Sequence, residues 1–148
     1  MIHREALEGL SRHRGDAVVI PTMSSVGVWP EFSDTPLDFH YLPSSMGQGV
    51  SFGLGLALAR PSRRVIVLTG DGSLLMNLGS LVTAAQHDLP FTVVLIDNGL
   101  YEVTGGQPFV GARRVDFRQI ASAAGFQLVN TVADRDNWEQ EAECHLTR

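Results

Sequence analysis

Lysine is absent from this chain of 148 residues, and all 11 of its basic residues are arginines. The net charge of −5 and the lack of a basic cluster argue against nucleic acid as a partner. Cysteine occurs once, at Cys144, so no internal disulfide can form, and we expect a reducing, cytoplasmic setting. No apolar run approaches the roughly 20 residues of a membrane span, and the first residues lack the apolar core of a signal peptide. The sequence therefore predicts a single globular domain over residues 1–148, with neither a nucleic-acid nor a membrane partner.

Apolar strands and helical segments alternate along the chain. Helices are predicted over residues 3–13, 46–59, 74–85, 116–124 and 134–146, and strands over 17–20, 65–69, 91–96 and 126–131. The helix at 74–85 carries one apolar stripe, which predicts a core face made of Leu74, Leu78, Leu81, Val82 and Ala85. Two loops are predicted, 22–45 and 99–115. The first is expected to be irregular, and its 24 residues are typical of a segment that is either functional or disordered. The alternation predicts an α/β fold, a doubly wound and mainly parallel sheet with flanking helices, whose ligands bind at the carboxyl ends of the strands.

Polar turns follow two of these predicted strands. Gly70–Ser73 follows one strand, and Asp97–Gly99 follows the next. The helix between them fits a right-handed crossover, so the strands would be parallel and, if neighbours, about 4.8 Å apart. Asp71 and Asn98 would then share one small volume, where their oxygens suit Mg²⁺ and its phosphate partners. The glycines beside Asp71 would let backbone N–H groups approach an anion; the alternative is that both segments are ordinary turns.

These motifs resemble the signature of thiamine-diphosphate-dependent enzymes. The resemblance implies that the metal ligands are Asp71, Asn98 and the carbonyl of Leu100, and that the cofactor-binding residues include Gly70, Gly72, Ser73, Asn98 and Leu100. Gly72 and Ser73 would offer N–H groups to the diphosphate. The usual pattern has two consecutive asparagines, whereas the first of the pair here is Asp97, which is not the ligand position in the family.

Met46, at the start of a glycine-rich helix, resembles the bulky apolar residue that wedges between the two rings of the cofactor and enforces its bent form. By the same resemblance, a carbonyl at Ser44 would accept a hydrogen bond from the aminopyrimidine. Met46 therefore joins Glu102 and Gln107 as a candidate catalytic residue, the latter two lining the mouth of the site as candidates for contacting substrate. The alternative for Met46 is a methionine that fills the core.

Further residues sharpen the resemblance to the cofactor-binding half of sulfopyruvate and phosphonopyruvate decarboxylases, over roughly residues 38–125. They are Gly47, Leu75–Met76, Gly79–Leu81, Glu102 and Gly105–Pro108. The first loop of that group commonly carries an arginine. Residues 22–45 here contain none and carry instead the aromatic residues Trp29, Phe32, Phe39 and Tyr41. We therefore expect a substrate side chain less acidic than that of sulfopyruvate; the alternative is that these aromatics pack against a partner chain.

Histidine is the side chain best suited to proton transfer near neutral pH. His40 lies in the first loop, close to Met46, and is a candidate for that role. The amphipathic terminal segments carry His3, His13 and His145, which are expected to be solvated.

The resemblance implies the function of the whole assembly: non-oxidative decarboxylation of a 2-oxo acid with thiamine diphosphate and Mg²⁺. In the family, the glutamate that activates the cofactor sits on a separate pyrimidine-binding domain, for which this chain has no room. A second polypeptide would supply it, in a hetero-oligomer such as a heterotetramer, and the chain alone would be inactive. The alternatives are a carboligase subunit resembling acetolactate synthase, a non-catalytic scaffolding subunit, and a nucleotide-binding Rossmann domain suggested by Gly47–Gly49 and Gly53–Gly55.

Overall fold

The computed structural model describes residues 1–40, 46–112 and 114–146. Three parallel strands form a sheet in the order β1–β2–β3, with bounds Val18–Pro21, Val65–Gly70 and Phe91–Ile96. The strands β2 and β3 are hydrogen-bonded neighbours, in a register that sets Gly70 opposite Ile96. The prediction that two polar turns leave one edge of a parallel sheet side by side is therefore confirmed.

Seven helices and a small hairpin surround this sheet in the described part of the chain. The helices are α1 His3–His13, α2 Ser25–Val28, α3 Gly49–Ala59, α4 Asp71–Leu75, α5 Gly79–Ala84, α6 Phe117–Ala124 and α7 Arg135–Leu146. Two short 3₁₀ turns, Trp29–Glu31 and Glu102–Thr104, and the antiparallel strands β4 Leu100–Tyr101 and β5 Gln107–Pro108 complete the list. Within the described residues, no helix is both long and apolar enough to cross a bilayer.

Helices cover both faces of the sheet, because successive strand residues point to opposite sides. On one face, Ile66 and Leu68 pack with α1 and α7. On the other, Val65 and Val67 pack with α3. A Cβ atom on Gly53 would lie 2.3 Å from Val67, so glycine is required for α3 to approach the sheet this closely. This arrangement confirms the predicted doubly wound α/β fold.

The predicted crossover helix is wrong as a single element. It divides into α4 and α5, separated by residues 76–78. The break contains Asn77, a residue type with low helix propensity, and α5 begins at Gly79. The break changes which side chains face the core: Val82, predicted to be buried, is 52% exposed, while Ser80 is buried.

Two other expectations about local structure are also corrected. The first loop is not irregular throughout, because α2 and the turn Trp29–Glu31 lie within it. Residues 126–131 form no strand. Leu128 is 57% exposed, whereas Phe126 is partly buried against the core. The second loop, 99–115, contains the β4–β5 hairpin.

Candidate functional site

Asp71 joins the two polar turns at the carboxyl edge of the sheet. Asp71 is 1% exposed, and its carboxylate accepts hydrogen bonds from three backbone N–H groups. Oδ1 accepts from Gly72 at 2.6 Å, and Oδ2 accepts from Asn98 at 2.8 Å and Gly99 at 2.5 Å. No salt bridge to Asp71 is found among the described residues. The site therefore buries a carboxylate that has hydrogen-bond donors but no cation.

The donor set around Asp71 fits a hard divalent cation. An ionised carboxylate has about four acceptor positions, and the three N–H groups leave room for a further ligand. The side-chain oxygen of Asn98 accepts from the N–H of Leu100 at 2.9 Å, which shapes the second turn. Within the described residues there is no cluster of three or more His, Cys, Asp or Glu side chains that could hold a metal alone. Such a site suits Mg²⁺ shared between a few protein oxygens and phosphate oxygens.

Asp97 adds to the negative potential beside Asp71. Burial, followed by a hydrogen bond to Asp71 and the charge of its carboxylate, raises the pKa of Asp97 above its ordinary value. Two carboxyl groups this close disfavour simultaneous ionisation in the absence of a cation. The second turn thus carries an acidic residue at the position where the related enzymes commonly have asparagine.

A cleft opens over this turn and gathers most of the predicted site residues. Its walls are formed by Met23, Ser24, Ser25, Met46, Gly70, Asp71, Gly72, Ser73, Ile96, Asn98, Leu100, Tyr101, Glu102, Val103 and Thr104. The predicted set of Met46, Gly70, Gly72, Ser73, Asn98, Leu100 and Glu102 is therefore brought together around Asp71. Gln107 is not among the lining residues; it is exposed on β5, where its amide donates to Thr104 at 3.0 Å. Ser44 lies outside the described residues.

Hydrogen bonds to Gly47 fix the position of Met46 in the cleft. The N–H of Gly47 donates to the hydroxyl of Ser73 at 3.0 Å, and the amide of Asn77 donates to the Gly47 carbonyl at 3.1 Å. Gly47 has φ +78°, a left-handed conformation that favours glycine. Sequence reasoning missed Asn77 because its distance from Gly47 along the chain gives no local signal.

Tyr101 packs so closely on the first turn that Gly72 can carry no side chain. A Cβ atom at Gly72 would lie 2.5 Å from the tyrosine ring. The ring of Tyr101 also packs edge-on against Phe109, with centroids 6.0 Å apart. The second glycine of Gly70–Asp71–Gly72 thus allows an aromatic wall to reach the cleft, a role that the sequence did not indicate.

The described aromatic residues of the first loop, Trp29, Phe32 and Phe39, do not line the cleft. Trp29 is fully buried in the core and its indole N–H donates to Asp38 at 2.8 Å, while Phe39 packs on Phe52 with centroids 5.0 Å apart. The interpretation of Trp29 and Phe39 as determinants of a less acidic substrate is therefore wrong, because both side chains are engaged elsewhere. His40 is exposed and does not line the cleft.

His3, predicted to be solvated, is half-buried behind the cleft wall. Its Nε2 atom lies 2.9 Å from the hydroxyl of Ser25, which lines the cleft. Burial lowers the pKa of His3, and the charge of Glu102 partly opposes that effect. No local sequence pattern indicates this pairing, because α1 and the first loop are brought together only by the tertiary fold.

Several known proteins are similar to this chain in sequence. The sequence profile of the family described as "Thiamine pyrophosphate enzyme, C-terminal TPP binding domain" matches residues 28–145. The chain is 48% identical over 108 residues to sulfopyruvate decarboxylase subunit beta of Methanothermobacter thermautotrophicus, covering 72% of this chain and 56% of that protein. It is 41% identical over 99 residues to phosphonopyruvate decarboxylase of Streptomyces hygroscopicus, covering 66% of this chain and 24% of that protein.

The fold is also similar to a solved structure. An X-ray structure from Mycobacterium smegmatis, assigned to the thiamin diphosphate-dependent enzymes, superposes with a TM-score of 0.79 at 27% sequence identity. The match covers all of this chain and 30% of that one. This chain thus spans between about a quarter and just over half of the length of these proteins.

Proposed function

The chain belongs to the thiamine pyrophosphate enzyme family, as its C-terminal TPP-binding domain, and we propose that it serves a Mg²⁺-dependent 2-oxo acid decarboxylase. The observation that carries this proposal is the buried carboxylate of Asp71, which lacks a cationic partner among the described residues and opens onto a cleft. An unpaired buried charge is costly, and a bound divalent cation would offset it.

The residues around the cleft divide into three proposed roles. Asp71, the side chain of Asn98 and the carbonyl of Leu100 would hold Mg²⁺. Gly70, Gly72 and Ser73 would lie against the diphosphate, although the N–H of Gly72 here donates to Asp71. Met46, held in place through Gly47, would enforce the bent form of the cofactor. Glu102 lines the mouth and would contact substrate, whereas the position of Gln107 outside the cleft gives that residue less support.

Thiamine diphosphate supplies the chemistry that carboxyl side chains cannot, since its thiazolium ring acts as an electron sink when the bond to the carboxyl carbon breaks. The protein would hold the diphosphate of the cofactor in a fixed position and exclude water from the thiazolium ring. Among the described residues the cleft walls contain no lysine or arginine, which supports a substrate side chain less acidic than sulfopyruvate.

We propose that a separate pyrimidine-binding chain supplies the activating glutamate, in a hetero-oligomer such as a heterotetramer. Support comes from the relatives named as beta subunits, although this chain spans only part of their length. The lone cysteine suits a reducing compartment, and we propose a cytoplasmic location.

The test is native mass spectrometry of the chain together with any protein that co-purifies with it, followed by assays with sulfopyruvate, phosphonopyruvate, pyruvate and phenylpyruvate. We expect thiamine diphosphate and Mg²⁺ in the complex, carbon dioxide release from a 2-oxo acid, and no turnover by the chain alone. Release of a free aldehyde would indicate a decarboxylase, and its transfer to a second acid a carboligase. A complex that binds no thiamine diphosphate would contradict the proposal, and turnover by the isolated chain would contradict the need for a partner.

A further inference from the structure

The turn after β1 is anchored to the carboxyl end of β2. Thr22 donates to the carbonyl of Leu68 twice, from its hydroxyl at 2.7 Å and from its backbone N–H at 3.0 Å. The N–H of Ser25 in turn donates to the Thr22 carbonyl at 3.1 Å. These bonds set the turn beside the polar residues that follow β2, so the turn forms a fixed wall of the cleft.

Within that turn, Met23 adopts an unfavourable backbone conformation. Its φ is +54°, and it is the one non-glycine residue with positive φ in the described part of the chain. A Cβ atom makes this region costly for an L-residue, so such residues persist only where their surroundings fix them, often at ligand sites. The strained residue lines the cleft together with Met46. The strain therefore points to a function for the turn itself.

Ser25 is the best-placed hydrogen-bonding group on this wall. It is 2% exposed, it lines the cleft, and its hydroxyl lies 2.9 Å from Nε2 of His3. A serine hydroxyl has one donor and two acceptor positions, so the contact with the imidazole uses only part of its capacity. When the imidazole donates from Nε2, the hydroxyl hydrogen is available to another acceptor. An imidazole kept neutral by burial can act as that donor in one of its two tautomers.

We propose that Ser25 donates a hydrogen bond to an oxygen of the 2-oxo acid substrate and that His3 is the positioning residue that orients the Ser25 hydroxyl. This inference rests on the proposed function. It gives α1 and the turn after β1 a part in substrate recognition. Neither segment belongs to the motif around Asp71 or to the family profile match, which begins at residue 28.

The charges along the cleft favour a neutral donor at this position. The lining residues Glu102 and Asp71 are acidic, and a carboxylate repels an anionic substrate rather than donating to it. With no lysine or arginine among the described lining residues, the side-chain donors that the walls provide are the amide of Asn98 and the hydroxyl groups of Ser24, Ser25, Ser73, Tyr101 and Thr104. Ser25 differs from the others in being both nearly buried and backed by an imidazole.

The experiment compares Ser25→Ala, His3→Leu and His3→Gln in the complex in which the chain is purified. For pyruvate, sulfopyruvate and phosphonopyruvate, we expect Ser25→Ala to raise KM by about tenfold or more, as expected for loss of a hydrogen bond to a charged group. The changes in kcat and in thiamine diphosphate affinity should be much smaller. His3→Leu should follow Ser25→Ala, and His3→Gln should restore most of the affinity, because its amide can still donate to the hydroxyl. His145→Gln, at a histidine that pairs with Glu141 on α7, is the matched control.

The outcomes separate this inference from the proposed function. Equal increases in KM for every substrate would show that the hydroxyl binds the 2-oxo acid group. Increases confined to sulfopyruvate and phosphonopyruvate would show that it binds their acidic side group. Both results support the inference. Unchanged KM in Ser25→Ala, in a complex that binds thiamine diphosphate normally, would overturn the inference alone. Equal increases in KM for His3→Gln and His3→Leu would overturn the positioning role of His3. If Ser25→Ala does not fold, this comparison of the two His3 variants is the test of the inference. A wild-type complex without cofactor would overturn both.

Discussion

Two buried aspartates, Asp38 and Asp71, occupy opposite environments in this protein. The side chain of Asp38 is fully buried and forms an ion pair with Arg14. It also accepts hydrogen bonds from the indole of Trp29 at 2.8 Å and the hydroxyl of Ser33 at 2.6 Å. Its charge is therefore neutralised by a cation inside the same fold.

Asp71 is also buried, yet no cation pairs with its carboxylate among the described residues; its hydrogen-bond partners there are backbone N–H groups and the neighbouring carboxyl of Asp97. Backbone donors satisfy oxygen lone pairs without cancelling a charge. The two carboxylates therefore differ in how their charge is compensated. The charge of Asp38 is compensated within the fold, and Asp38 stabilises the first loop. The charge of Asp71 is left for an external cation. Burial alone would not have distinguished the two roles.

The largest effect should come from the same substitution made at both positions. Asp38→Asn removes the partner of Arg14 and leaves a buried guanidinium unpaired, which we expect to lower the free energy of unfolding by about 3–5 kcal/mol. Asp71→Asn removes an uncompensated charge but replaces one of two accepting oxygens by an NH2 group, which leaves a backbone N–H group without its acceptor. In the absence of cofactor we expect the smaller loss of about 1–2 kcal/mol. Urea unfolding of both variants measures the difference. Equal losses would show that the two carboxylates are structurally equivalent.

A smaller effect is expected where the aromatic wall meets the first turn. Gly72→Ala places a Cβ atom 2.5 Å from the ring of Tyr101, and the forced movement should cost about 1–3 kcal/mol and weaken cofactor binding. Gly79→Ala is the matched control, because its Cβ atom would meet nothing within 4 Å. Thermal unfolding and thiamine diphosphate titration report the two effects. Gly72→Ala behaving like Gly79→Ala would contradict the close packing of Tyr101.

The pH dependence of stability should be the smallest of these effects. Burial alone would raise the pKa of Asp38, but hydrogen bonds from Ser33 and Trp29, a backbone N–H and the charge of Arg14 outweigh it and lower the pKa. A lowered pKa contributes stability above the ordinary value of 3.8 and loses it as the pH falls through the folded value.

The free energy of unfolding should therefore differ between wild type and Asp38→Asn by a constant amount near neutral pH. That difference should shrink below pH 3.8, while contributions from other carboxyl groups cancel. Urea unfolding from pH 7 to pH 2 measures it. A difference that stays constant over the whole range would show that Asp38 does not titrate with a lowered pKa.

Sequence patterns predicted the elements whose signals are local. The helix His3–His13, the strands β2 and β3, and the meeting of the turns at Asp71 and Asn98 all followed from periodicity and from the geometry of a parallel crossover. The division of the crossover helix was missed because its apolar stripe continues across residues 76–78, where α4 has ended and Asn77, of low helix propensity, contacts Gly47.

Side-chain partners that depend on tertiary packing were not predictable in the same way. Nothing in the sequence near Trp29 shows that it lies in the core rather than on a substrate wall, because an aromatic residue in a loop fits both. The pairing of His3 with Ser25 and of Asn77 with Gly47 likewise joins segments far apart along the chain. The sequence predicted the edge of the sheet at which the candidate site lies, but not the long-range packing of the residues that form its walls.

We propose that Mg²⁺, held together with thiamine diphosphate, compensates the charge of Asp71. The most direct measurement is calorimetric titration of thiamine diphosphate, with and without Mg²⁺, into the purified complex carrying wild-type, Asp71→Asn or Asp38→Asn chains. We predict tight binding to wild type only when Mg²⁺ is present, a loss of at least about 100-fold in Asp71→Asn, and near-normal affinity in folded Asp38→Asn. Wild-type and Asp71→Asn complexes that bind the cofactor equally, or binding that does not depend on Mg²⁺, would contradict the claim.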